Sequence, residues 1–199
     1  HTAGTLGVSA YAIVSYVCSI MNMVVVGVTQ GVQPIMSFYH GKGEKKIFSY
    51  VYGLGIRANT IASMILVGIS ILFGERIVPL FHAGHSVDLT ELTTHMLRHY
   101  SLAYIFIGVT LMNILFFQTM ERNAYATLIS FLRCVGFIQI FLLLSVFALD
   151  SRGLYLTFLA GEVFHFIISQ LLVQRTRKRT ASGTKDMQRS LERNYDNKD

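Results

Sequence analysis

Glu162 and His165 stand one helical turn apart in an otherwise apolar run, and Arg133 stands alone in another. A carboxylate and an imidazole at i and i+3 share a helix face. Such a pair can exchange a proton or hold a cation, or it can be a satisfied polar pair bonded to Arg133, Gln139 or Asn113 on other helices. Gln30 and Gln33 repeat the spacing, with Gly31 between them and Pro34 directly after. Two amides on one face either bond neighbouring helices or line a cavity for a polar or cationic ligand. Pro34 removes a backbone donor and favours a bend. Asn113, together with Tyr104, is a further candidate for that cavity, and Asn22, Asn59 and Tyr11 are polar points elsewhere.

Other chemistries find less support. Glu162-x-x-His165 is half of a carboxylate–histidine metal site, and no second such pair appears on another run. His95 and His99 have zinc-compatible i, i+4 spacing but read as surface histidines beside His82 and His85. No metal and no cofactor are therefore expected. Cys18 and Cys134 lie in apolar runs, where a thiol behaves as a small hydrophobe. Neither a phosphate-binding glycine loop nor a nucleic-acid surface is evident. The reading is a non-enzyme.

These residues must be positioned by elements suited to lipid. Of 199 residues, 14% are charged and 52% hydrophobic, with a mean hydropathy of +0.49. A soluble domain usually carries about a quarter charged residues. The net charge of +6 is mostly a tail effect, since residues 175–199 hold eight Lys/Arg and four Asp/Glu. A spanning helix needs about 20 apolar residues, and five segments qualify: 6–38, 48–73, 100–120, 124–149 and 154–174. Runs such as 137–144 are apolar on every side, which favours helices over barrel strands. The expected fold is an all-α, polytopic membrane bundle over residues 1–174, followed by a basic, disordered tail at 175–199.

The short links imply antiparallel neighbours. The longer stretch from Gly74 to Arg98 reads as a structural connection holding a short polar helix, begun by Ser86-Val87-Asp88-Leu89-Thr90-Glu91. Lys42, Lys45, Lys46, Arg122 and the tail lie at one side, against Arg76, Arg98 and Arg152 at the other, which places the C-terminus in the cytoplasm. Arg175, Arg177, Lys178 and Arg179 suit anionic lipid headgroups, and Arg57 can snorkel to them. Residues 1–41 carry no Lys, Arg, Asp or Glu. The start thus lacks the basic opening of a cleavable leader, and the chain reads as a fragment preceded by other membrane segments.

Gly7-Val8-Ser9-Ala10-Tyr11-Ala12-Ile13-Val14, with the run from Gly27 through Gln30-Gly31-Val32-Gln33-Pro34 to Gly41, resembles the eighth membrane segment of multidrug and toxin extrusion (MATE) transporters. Phe116-Phe117-Gln118, Leu128-Ile129-Ser130-Phe131-Leu132-Arg133 and Arg152-Gly153-Leu154 through Ala160-Gly161-Glu162 resemble segments ten to twelve. Two turns depart from the family pattern. Gly41-Lys42 stands where Gly-Ala is usual, and Met120-Glu121-Arg122 where an aliphatic residue, glycine and lysine are common.

The resemblance implies segments eight to twelve, a C-terminal lobe lacking the first lobe of the same chain. It implies efflux of cationic drugs or toxins by alternating access across the cell membrane, driven by H⁺ or Na⁺. Gln30, Gln33, Asn113 and Glu162 then become transport or cavity candidates, and Pro34, Arg133 and His165 structural or gating ones. An arginine in a cation pocket would repel the cargo, which favours the structural role for Arg133. A lipid-linked saccharide flippase of the related superfamily, or a membrane-embedded enzyme using Glu162 and His165, is the alternative.

Overall fold

The computed structural model describes residues 2–81, 87–133 and 158–178, and their regular structure is helical throughout. Helix α1 covers Thr2–Gly41 and α2 Lys45–Ile77, with a 3-10 turn at Val78–Phe81. Helices α3 (Val87–Leu102), α4 (Tyr104–Thr119) and α5 (Asn123–Phe131) follow, and α6 occupies residues 158–178. Three stretches, Leu6–Gly41, Lys45–Phe81 and Val87–Thr119, are long and apolar enough to cross a membrane. At 1.5 Å per residue α1 is about 60 Å long, roughly twice the hydrocarbon thickness. Its ends therefore project beyond the bilayer core. Residues 134–157, which hold most of segment 124–149, and the tail beyond Lys178 lie outside the described residues.

The stretch read as a connection is part of the bundle. Helix α3 buries Thr93, Thr94, Met96, Leu97, Tyr100 and Ser101 and packs on α1 and α2. Ala103 alone separates it from α4. Leu89, Leu92, Met96, Leu97 and Tyr100 recur every three or four residues, giving an amphipathic helix. The third rod consequently begins at Val87 rather than Tyr100.

Two turns are closed by the same device. At the end of α1, Gly43 N–H bonds the His40 carbonyl at 2.9 Å and Glu44 N–H the Tyr39 carbonyl at 3.1 Å, with Gly43 at φ 73°. At the end of α4, Glu121 N–H bonds the Gln118 carbonyl at 3.1 Å and Arg122 N–H the Phe117 carbonyl at 2.9 Å. Both are Schellman closures, which need a left-handed residue at the first position past the helix. Glu121 takes that position at φ 57°, where glycine costs nothing and a Cβ is strained.

Helix α1 packs on α2, α3 and α4, and α2 packs on α3 and α4. Helix α6 runs parallel to α4. Phe158 meets Tyr100 with ring centroids 5.0 Å apart, Phe166 meets Phe106 at 5.5 Å, and Ser169 meets Asn113 further along. Gly108 brings α4 close to α2, since a Cβ there would lie 2.9 Å from Ser63 Oγ and 3.4 Å from the Asn59 carbonyl oxygen.

Glu121→Gly should raise thermal stability by about 1 kcal/mol, and Gly43→Ala should lower it by about as much. Melting temperatures of the detergent-solubilised protein read both. An unchanged Tm in both variants would show that neither turn limits stability.

Candidate functional site: a buried polar layer at mid-depth

The buried apolar residues form two clusters. One holds Ala10, Val14, Val25, Val67, Leu97 and Ile107, with Phe158 and Leu159 against it, and the other holds Met36, Phe48, Met112, Phe117, Ile129 and Val173. On every helix that reaches both clusters, buried polar or small residues lie between them: Thr29 on α1, Gly55, Asn59 and Ser63 on α2, Gly108 and Thr110 beside the apolar Val109 on α4, and Glu162, His165 and Ser169 on α6. Arg133, just beyond α5, sits on the same level through its contact with Glu162. A polar layer thus crosses the bundle at mid-depth, between two greasy caps.

Glu162 and His165 are its ionisable centre, 5% and 2% exposed. Arg133 Nε lies 3.4 Å from Glu162 Oε1, and their side chains are 22% and 6% exposed. Among the described residues, Glu162 Oε2 accepts no hydrogen bond. The carboxylate is therefore held by one oxygen and open at the other. Glu162 of α6 and Arg133, just beyond α5, are thus brought together. The Tyr104 hydroxyl donates to the Cys18 carbonyl at 2.5 Å, tying α4 to α1.

Asn113 lies elsewhere in the layer. It is fully buried, its Oδ1 accepts from the Tyr52 hydroxyl at 2.5 Å, and its Nδ2 donates to Ser169 Oγ at 2.8 Å. Both ends of the amide are engaged, so Asn113 bolts α2, α4 and α6 together. Its polarity was legible in sequence. The partners that claim it were not.

Asn59 forms the corresponding bolt between α2 and α1. Thr29 Oγ1 gives its proton to the Val25 carbonyl at 2.9 Å, so it must accept from Asn59 Nδ2 at 2.8 Å. That fixes the amide orientation and turns Asn59 Oδ1 away. Asn59 Oδ1 and Ser63 Oγ, one turn apart and fully buried, have no partner among the described residues. Unpaired oxygens at membrane depth cost several kcal/mol each. They are natural acceptors for water or a small cation. The polar positions 59 and 63 sit at i and i+4, a pattern visible in the sequence that carried no signal without its depth.

Gln30, Gln33 and Pro34 are exposed. Helix α1 continues unbroken through Pro34, and the missing N–H releases the Gln30 carbonyl on the same side. Ser19, Asn22, Gln30, Gln33 and Ser37 are exposed, and Ser15 is half-buried. At 100° per residue these six fall within an arc of about 80°. The open face of α2, by contrast, presents Leu54, Ile61, Met64, Ile65, Ile69 and Leu72. An amide stripe cannot face hydrocarbon without loss, so this face of α1 meets water or further protein. The glutamines make no bond to neighbouring described helices, in contrast to the interhelical alternative.

The Arg177 guanidinium lies over the Tyr52 ring, 5.6 Å from the centroid, and bonds Ser49 Oγ. It ties the end of α6 to α2 while remaining exposed. Among the described residues, no group of three or more His, Cys, Asp or Glu side chains could hold a metal ion.

The profile of the MatE family matches residues 1–147. A solved structure described as the outward-facing conformation of a multidrug resistance MATE family transporter of the MOP superfamily superposes with a TM-score of 0.80 at 15% identity. The match covers 87% of this chain and 39% of that one. A MOP superfamily transporter from Pyrococcus furiosus, described as having a reverse polarity of its binding pocket that suggests a different function, superposes with a TM-score of 0.79 at 16% identity, covering 88% and 39%. No curated protein sequence matches the chain.

Replacing Arg133 with Met should destabilise the protein by about 3–5 kcal/mol, because it strands a buried carboxylate. The double variant Arg133→Met, Glu162→Leu should recover most of that loss. Thermal unfolding of the two variants in detergent checks the pairing, and equal destabilisation would contradict it.

Proposed function

The chain belongs to the MatE family, and from that premise we propose that it forms one lobe of a multidrug exporter, working by cation-coupled antiport through alternating access. It is a multi-pass membrane protein by the length and apolarity of its helices. The observation that carries the proposal is the half-satisfied carboxylate of Glu162 in the polar layer. Its Oε1 is neutralised by Arg133, while Oε2 is free to take a proton or a Na⁺ ion. Loading Oε2 withdraws charge from the Arg133 contact and loosens α6 from α5, and unloading restores it. An ion can thereby bias the packing of two helices, which is the requirement for coupling. Asn59 Oδ1 and Ser63 Oγ are further neutral oxygens suited to Na⁺.

The polar stripe of α1 serves in this reading as the substrate-facing wall, with Gln30, Gln33 and the released Gln30 carbonyl offering hydrogen bonds. In the two solved neighbours the matched region is 39% of the chain. Cargo is expected to be a cationic or polar drug or toxin, in contact with soft walls of Met and Phe. No cofactor is needed.

The P. furiosus protein makes pocket polarity the discriminating property, because its fold superposes equally well. Helix α1 brings no Lys, Arg, Asp or Glu to the pathway, which weighs against an anionic flippase substrate. Orientation follows from the ends of the bundle. The α1–α2 turn, the α4–α5 turn and the end of α6 share one end, joined by the contacts of His40 with Phe48, Phe48 with Phe116, Phe117 with Tyr125, and Arg177 with Tyr52. That end carries Lys42, Lys45, Lys46, Arg122, Arg175, Arg177 and Lys178, and we place it in the cytoplasm.

The test is dye efflux from proteoliposomes of the full-length protein under separately imposed H⁺ and Na⁺ gradients. Glu162→Gln should reduce gradient-driven efflux at least about tenfold, with dye binding retained. Efflux insensitive to both gradients would remove the antiport reading, and wild-type efflux by Glu162→Gln would remove the role of that carboxylate.

A further inference from the structure

At the end of the bundle opposite the basic turns, a cavity of about 570 Å³ opens between the last turns of α2 and the first half of α3. Glu75, Pro79, Val87, Thr90, Glu91, Thr94, His95 and Arg98 line it. Its volume is that of a small-molecule site. It is separated from the polar layer by the apolar cluster that contains Val67, Val78, Met96 and Leu97, so it belongs to no part of the pathway described above.

Two features set its chemistry. First, Arg98 Nη2 is bound by Glu75 Oε1 at 3.1 Å, which leaves the exposed Glu91 as the carboxylate outside that ion pair among the described lining residues. Second, Pro79 and the exposed Val87 supply an apolar wall. A carboxylate beside an aliphatic surface suits a cation carried on an apolar body.

We propose that this cavity is a second ligand site, taking a small organic cation whose ammonium meets Glu91 and whose hydrocarbon lies on Pro79 and Val87. The site does not depend on the antiport reading, since none of its residues belongs to the polar layer or to the stripe of α1. Arg98, held by Glu75, fixes α3 against α2 and keeps the cavity's shape.

Equilibrium binding of benzyltrimethylammonium to the full-length protein in zwitterionic nanodiscs, with empty discs subtracted, tests this. Saturable binding is expected, weakened about threefold to tenfold by Glu91→Gln and abolished by Glu91→Lys. Benzylsulfonate should not compete. Because Glu91 is exposed, both variants should keep the wild-type Tm. The Glu91 variants should keep wild-type gradient-driven dye efflux, which separates a failure here from a failure of the transport reading. Wild-type affinity in both Glu91 variants, or competition by benzylsulfonate, would overturn the proposal.

Discussion

A polar atom at the centre of a bilayer has no water to fall back on, and this constraint organises the bundle. Its two apolar clusters would pack as lipid-like plugs whatever the detail of their side chains, since lipid tails compete equally well for them. The layer between them can be satisfied in few ways. Thr29 with Asn59, Tyr52 with Asn113 and Ser169, and Arg133 with Glu162 each join helices far apart in sequence. Together they fix which helices touch and at what height, while glycines 55 and 108 let the backbones come near enough for the short side chains to reach.

The same layer is where satisfaction is incomplete. Among the described residues, Glu162 Oε2, Asn59 Oδ1 and Ser63 Oγ accept no hydrogen bond. In the antiport proposal these are the oxygens through which an ion would act on the packing. Helix α1 carries Thr29 into the layer on its buried side, and its neighbouring exposed side displays Gln30 and Gln33 at the same height.

Much of the scaffold was legible because a long apolar run admits few alternatives in lipid. The rods at 6–38 and 48–73 needed no more than length and hydropathy. The third rod was foreshortened because Val87 to Arg98 is polar on one side, and an average over a window dilutes the buried side. Of the site residues, Glu162, His165 and Arg133 were conspicuous, because a charge in an apolar run is rare. Asn113 was equally conspicuous, and the structure adds that its amide bonds Tyr52 and Ser169. Ser63, Thr29 and Ser169 gave no warning, since small hydroxyl residues are common in membrane helices and bond their own backbone.

By itself the sequence determined that this chain is a set of membrane helices, which residues within them are costly to bury, and which end is basic. Those are local properties, settled by hydropathy, charge and the periodicity of one helix at a time. The tertiary structure decided the pairing: that Arg133 answers Glu162, that Asn113 is used up between helices, that Gln30 and Gln33 face outward, and that all these lie at one depth. A side chain's partner depends on helix rotation, height and crossing, and those follow from close approaches such as Gly108 against Ser63, which no single helix contains.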